Sequence, residues 1–160
     1  MSIKLVKGNL LDSDCEFICH QVNCQGAMNS GIAKQIRERW PIVYNNYITK
    51  FSACQSSADL LGDIQIVALY DDFYKTEKHQ YVINLFAQQY YGYDGERYTS
   101  YDAFWNCLNL IKNTVPKGKK IGFPYKIGSD RGGANWQIIY AMISEVLGKD
   151  YEIEIYQLGE

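Results

Sequence analysis

The sequence predicts an α/β domain, a three-layer α/β/α sandwich on a mixed, largely parallel sheet of about six strands. Three observations predict it. Strand-like and helix-like segments alternate along the chain. The inner strand-like segments are apolar and β-branched throughout, as strands covered on both faces must be. Two of the segments run straight into glycine-bearing stretches that open helices, the pattern of a strand-loop-helix unit in a parallel sheet. The 160 residues are the length of one domain, and no Pro/Ser/Gly-rich linker, low-complexity run or repeat divides them, so residues 1–160 read as a single unit.

Taken in order, Ile3 to Val6 reads as a short strand, and Glu16 to Val22 (EFICHQV) as a buried one that leads into a glycine-bearing stretch, residues 23–31. A helix follows, because Ile32, Ala33, Ile36 and Trp40 recur at helical spacing, and Pro41 ends it. Val43, Tyr47 and Phe51 mark a second helix. Asp63 to Tyr70 and Gln80 to Phe86 are runs of strand length and composition, joined by a polar segment (DDFYKTEKH) that suits an exposed turn and leaves His79 solvated. Thr99 is positioned to cap a helix, with Asp102 as its capping-box partner and Tyr101, Phe104, Trp105, Leu108 and Ile111 as its apolar face. The Lys117 to Lys120 stretch closes that helix. Lys120 to Pro124 reads as a strand, followed by the glycine loop GSDRGG (Gly128 to Gly133). The last helix carries Trp136, Ile139, Tyr140, Ile143, Val146 and Leu147 on one face, with Gly148 just past its end, and Glu152 to Leu158 is the final strand.

Composition narrows the function. With 47% hydrophobic and 21% charged residues the chain is an ordinary folded protein. Sixteen basic against 18 acidic residues, a net charge of −2, give no global reason to bind a polyanion, whose backbone calls for clustered Lys and Arg. Small anionic ligands remain open, because backbone N–H groups and helix N-termini hold phosphate without any cation. The start, MSIKLVKGNLLD, has no long apolar run of the signal-peptide kind and no later run is long enough to span a bilayer, so a cytoplasmic protein without a membrane partner is expected. Five cysteines without a CxxC pair point to reduced thiols and to no metal site.

The chemistry is expected after EFICHQV and after KIGFP, since ligands of open α/β sheets sit beyond the carboxyl ends of the strands. Both places carry a strand-glycine loop-helix unit, HQVNCQGAMNSGIAKQI and FPYKIGSDRGGANWQII. Each has the makings of half a phosphate cradle: glycines let the backbone come close to an oxyanion, and the following helix adds its dipole. Neither is a Walker loop or a GxGxxG fingerprint. One such loop alone is ordinary turn chemistry; two on one sheet edge shift the balance toward a ligand.

VKGNLL, ICHQVNCQGAMNSGIA, VINLFAQ, IGSDRGGANW and IYQL, in that order, make the sequence resemble the macrodomain family over nearly its whole length. Within that family it is most similar to the branch of the yeast-type ADP-ribose-1″-phosphate phosphatase and of bacterial domains that remove ADP-ribose from macromolecules. The resemblance implies an α/β/α fold holding ADP-ribose in a cleft at the top of the sheet, with no cofactor and no metal. It sets Asn9, followed by Leu10, where many relatives have an aspartate for the adenine amino group, although Asn after Gly8 also suits a plain turn. Tyr156 matches an aromatic lining the adenine pocket, and in EIEIY it equally suits the core. Asn23 matches the residue that touches the distal ribose. Gly26, Gly31 and the adjoining Ile32 fall in the segment that wraps the distal ribose and pyrophosphate. Ser129, Asp130, Arg131, Gly132 and Gly133 match the second, phosphate-cradling loop.

Several positions bear on catalysis. His20 matches a histidine of the phosphatase branch and has the right ordinary pKa for a general acid or base, while a hydrogen-bonded histidine ending a buried strand is the alternative. Asp130 departs from the glycine usual in relatives; a carboxylate there repels a pyrophosphate unless it turns away, pairs with Arg131, or serves as acid or base. Gln88 stands near a lysine, and Gly132 near an aspartate, of the relatives that cleave ADP-ribose from acidic side chains or DNA. A lysine-based covalent route is therefore not expected, since an amide forms no Schiff base, and direct hydrolysis stays open. The resemblance thus implies a hydrolase that binds ADP-ribose or a derivative, with His20, Asn23 and Asp130 as its catalytic set. Such a hydrolase would remove a 1″-phosphate or an attachment to protein or nucleic acid. The alternative is a reader that binds without turnover. The Tyr-rich stretch with Tyr90, Tyr91, Tyr93, Tyr98 and Tyr101 reads as a ligand rim, a partner surface or packing.

Overall fold

Ten elements make up the computed structural model, which describes residues 2–71, 76–92 and 94–159. In chain order they are β1 (Ile3–Lys7), β2 (Phe17–Asn23), α1 (Gly31–Arg39), α2 (Pro41–Ala53), β3 (Ile64–Asp71), β4 (Thr76–Gln88), α3 (Tyr101–Thr114), β5 (Lys120–Pro124), α4 (Trp136–Leu147) and β6 (Glu152–Gln157), with 3-10 turns at Leu10–Asp12 and Ser57–Leu60. The strands form one sheet in the order β1-β6-β5-β2-β4-β3. Every neighbouring pair is parallel except β3 and β4. The expected mixed, largely parallel sheet is therefore present, with its antiparallel strand at an edge.

Strand β2 shows why the fold has three layers. Its side chains alternate: Phe17 and Cys19 pack with Phe104, Leu108 and Ile111 of α3 and with Ile139 and Ile143 of α4. Ile18 and Val22 point the other way, among Ile36 of α1 and Val43 and Tyr47 of α2. An apolar strand with no polar face needs a helix layer on each side, and the chain supplies two helices per layer.

Several local expectations are corrected. Pro41 does end α1, but it also opens α2, where its missing N–H costs nothing in the first turn. The cap of α3 is Ser100, whose Oγ accepts from the N–H of Ala103 at 3.1 Å. Thr99 is buried and its hydroxyl is engaged elsewhere, so the Thr99–Asp102 capping box does not form. Trp105 and Tyr140 are 41% and 40% exposed; each sits beside, not on, the buried stripe of its helix, which runs Phe104, Cys107, Leu108, Ile111 in α3 and Ile139, Ile143, Val146, Leu147 in α4. Helix α3 stops at Thr114, before the lysine stretch, and β4 begins at Thr76, before Gln80. His79 is exposed within β4 with φ +55°; residues 72–75 of the expected turn lie outside the described residues. Among the described residues, no helix is long and apolar enough to cross a membrane, and no group of His, Cys, Asp or Glu could hold a metal ion.

Candidate functional site

Because β1, β2, β4, β5 and β6 run parallel, their carboxyl ends share one edge of the sheet. A cleft of about 490 Å³ lies along it, a size suited to a nucleotide-sized ligand. Its walls come from the segments that follow each of these strands: Gly8 to Leu10, Asn23 to Ala33, Gln88 to Gly92, Pro124 to Gly132, and Tyr156 to Leu158 contribute lining residues.

The first loop is built around Asn23. Its Oδ1 accepts from the N–H of Gln25 at 3.0 Å and of Ala27 at 3.4 Å, and its Nδ2 donates to the Ala27 carbonyl at 2.9 Å. The hydroxyl of buried Tyr47, on α2, sits between the Asn23 carbonyl (2.7 Å) and Oδ1 (2.8 Å). Burial pushes that phenol well above its usual pKa, so it remains a donor. Left-handed backbone at Gly26 (φ +77°) and Gly31 (φ +58°) turns the chain into α1. Ser30, the cap residue of α1, makes no side-chain cap bond. Ser30, Gly31, Ile32 and Ala33 all line the cleft, so α1 presents an uncapped first turn, with its N–H groups and dipole, to whatever binds.

The second unit differs. The side chain of Asn135 accepts from the N–H groups of Gln137 and Ile138, so α4 is capped by its own chain and offers no such end. The donors come from the loop itself: among the described residues, no hydrogen bond engages the backbone N–H of Gly128, Asp130 or Gly132. The loop is closed by the N–H of Ser129 on the Lys126 carbonyl (2.8 Å), of Gly133 on that of Asp130 (3.2 Å), and of Ala134 on that of Gly128 (3.0 Å). Lys126 holds φ +63°, a left-handed conformation that costs a non-glycine residue about 1 kcal/mol.

No family model matches the chain. Among known proteins, a 17.5 kDa protein of the tk-vs intergenic region of Enterobacteria phage T4 is 27% identical over 160 residues, covering 93% of this chain and 92% of the phage protein. The DNA ADP-ribosyl glycohydrolase of Thermus aquaticus is 22% identical over 154 residues, 96% of this chain; the chain spans only 40% of that relative's length. In three dimensions the macrodomain of Thermus aquaticus DarG superposes with a TM-score of 0.76 at 20% identity, covering 99% of this chain and 98% of that one. Thermosipho africanus DarTG in complex with ADP-ribose gives 0.77 at 17% identity, over 97% of this chain and 41% of the other. The fold is that of a macrodomain.

On this macrodomain fold, Asn9, Leu10, Asn23, Gly31, Ile32, Asp130, Arg131, Gly132 and Tyr156 line the cleft. Asn9 also caps the Leu10–Asp12 turn through the N–H of Leu11 (3.0 Å). Tyr156 packs on the α1/α2 side of the core while its hydroxyl donates to Glu154 at 2.7 Å, so cleft wall and core are both its work. Gly26, Ser129 and Gly133 do not line it. Gly26 packs against the Phe51 ring, Ser129 turns its hydroxyl to the Ile127 carbonyl, and Gly133 lies against Glu96 and Arg97.

The structure places His20 outside the cleft. It is 0% exposed and points, like Ile18 and Val22, into the α1/α2 layer rather than off the strand end. Its Nε2 lies 2.5 Å from Asn84 Oδ1; Asn84 Nδ2 donates to Gln65 Oε1 (3.0 Å), and Gln65 Nε2 donates to the Asn46 carbonyl (2.9 Å). That direction of donation makes Nε2 the protonated nitrogen and leaves Nδ1 buried without a partner among the described residues. Burial drives the imidazole pKa down to about 4, so the ring is neutral near pH 7.

Sequence reading missed Gln21 and Lys126 as lining residues, and noted Gln88 only for the lysine it replaces. The one local signal for Gln21 was a polar residue closing an apolar strand two places before Asn23. Of the Tyr-rich segment, Tyr91 lines the cleft and Tyr90 is 58% exposed. Tyr98 donates to Asp94 (2.8 Å) and Tyr101 accepts from the N–H of Asn135 (2.8 Å), both packing roles. Tyr93 lies outside the described residues.

Proposed function

We propose that the cleft binds ADP-ribose, free or attached to a macromolecule, and that the protein hydrolyses a bond at the distal ribose. One observation carries the binding: two independent sets of backbone donors, the uncapped first turn of α1 and the N–H groups of Gly128, Asp130 and Gly132, border one nucleotide-sized cleft. A pyrophosphate is the ligand chemistry that uses both without needing lysine or arginine. An aromatic wall at Tyr156 suits a base at one end. The ADP-ribose held by the Thermosipho structure and the glycohydrolase activity named for the Thermus relative support the same reading.

With His20 enclosed, Asp130 is the one carboxylate lining the cleft among the described residues. In this proposal it takes a proton from an attacking water, the bond from the distal ribose to the attached group or phosphate is hydrolysed, and the leaving oxygen is protonated by solvent. Asn23, fixed by the first loop, positions the distal ribose. A second reading, a reader without turnover, is favoured by the enclosure of His20 and by a neutral amide at Gln88. Incubation with ADP-ribose-1″-phosphate, ADP-ribosylated DNA and ADP-ribosylated protein decides between them. Release of phosphate or ADP-ribose from one of these, lost in Asp130→Asn, supports the hydrolase; binding with no release from any supports the reader.

A further inference from the structure

A directed chain of hydrogen bonds ties the end of β4 to the second glycine loop. Gln88 Nε2 donates to the Tyr90 carbonyl at 2.8 Å, which leaves its Oε1 to accept from Gln21 Nε2 at 2.8 Å. The second Gln21 N–H goes to Thr99 Oγ1 at 2.8 Å. The Thr99 hydroxyl, its lone pair so engaged, donates to the Gly128 carbonyl at 2.8 Å. The backbone N–H of Thr99 then holds the Gly132 carbonyl at 3.0 Å. One residue, 2% exposed, thus grips the loop at both ends, at Gly128 through its side chain and at Gly132 through its backbone.

The fit is close. A Cβ at residue 132 would overlap Thr99 Oγ1 and stand 2.6 Å from the Gly128 carbonyl oxygen, and one at residue 128 would stand 2.9 Å from Gln21 Oε1. Thr99 therefore occupies the space that a side chain at position 132 would need, which gives a physical reason for glycine where the resemblance places an aspartate in other members.

We infer that Thr99 is a positioning residue for this loop: oriented by Gln21, it fixes the Gly128 to Gly132 backbone before the ligand arrives, so that binding does not have to order it. The identity of the ligand rests on the ADP-ribose reading; the order of the loop does not.

Amide hydrogen exchange and ADP-ribose calorimetry on Thr99→Val and Thr99→Ser test it. In Thr99→Val, which keeps the shape but loses the hydroxyl, the Ala134 amide is expected to exchange at least tenfold faster and affinity to fall about tenfold, equivalent to about 1.4 kcal/mol. Thr99→Ser restores both to near wild type. Wild-type exchange and affinity in Thr99→Val overturn the inference and leave the ligand untouched. If wild type does not bind ADP-ribose, the ligand reading falls and the exchange arm alone decides Thr99. Should Thr99→Val not fold, Gln21→Met removes the donor that orients the hydroxyl, along with its bond to Gln88, and leaves Thr99 itself intact; faster exchange at Ala134 supports the inference and wild-type exchange there overturns it.

Discussion

Acidification from pH 7 to pH 5 is expected to destabilise the protein by about 2 kcal/mol through His20 alone. The side chain is fully enclosed, donates through Nε2 to Asn84 and, among the described residues, has no acceptor or donor for Nδ1. A second proton on the ring is therefore shut off from bulk solvent and meets no partner among the described residues. With a folded-state pKa of about 4 against 6.5 ordinarily, the unfolded chain takes up a proton that the folded one refuses. The stabilisation is complete above about pH 6.5 and is lost as pH falls toward 4. Integrating the proton linkage over that window gives about 2 kcal/mol by pH 5 and about 3 kcal/mol by pH 4. Urea unfolding of wild type and His20→Gln at pH 7, 6 and 5 isolates the effect, because glutamine keeps a donor for Asn84 but does not titrate, and the carboxylates are common to both. Wild type should lose about 2 kcal/mol more than the variant. Equal losses in the two proteins refute the enclosure of His20, and so does an imidazole that titrates near neutrality by NMR.

Three further outcomes follow from the site. Gly132→Ala drives a methyl into Thr99 Oγ1 and the Gly128 carbonyl, and calorimetry should show ADP-ribose affinity reduced at least about tenfold. Tyr47→Phe removes the hydroxyl that holds Asn23; the midpoint of thermal unfolding should fall by the equivalent of about 1–2 kcal/mol and ADP-ribose binding should weaken with it. Asn135→Ala uncaps α4 at a cost of about 1 kcal/mol in urea unfolding, yet should leave ADP-ribose affinity unchanged, since in the proposed site the second unit contributes its loop and not its helix end.

Much of this architecture is written locally. EFICHQV has no polar face, so its need for a layer on each side is legible, as are Phe104, Leu108 and Ile111 in the buried stripe of α3, to which the structure adds Cys107. Trp105 misleads because an aromatic one place from that stripe satisfies composition but not direction. Thr99 and Ser100 are equally good caps by residue type, and the choice between them is made by Gly128, 29 positions away, which takes the Thr99 hydroxyl. The same limit governs the site. The two glycine loops are visible as loops, but Gly26 leaves the cleft because Phe51 packs on it, a contact with no local signature. Gln21 acquires its meaning from Gln88 and Thr99, 67 and 78 positions on. The placement of His20 was within reach: strand alternation puts it on the face of Ile18 and Val22, toward the helix layer rather than the sheet edge.

The central claim is that the two loops form one pyrophosphate-binding cleft, and a calorimetric titration of the wild-type protein with ADP-ribose tests it most directly. The expected result is saturable one-to-one binding that unmodified ribose does not compete away. Absence of saturable ADP-ribose binding by the folded protein would contradict it.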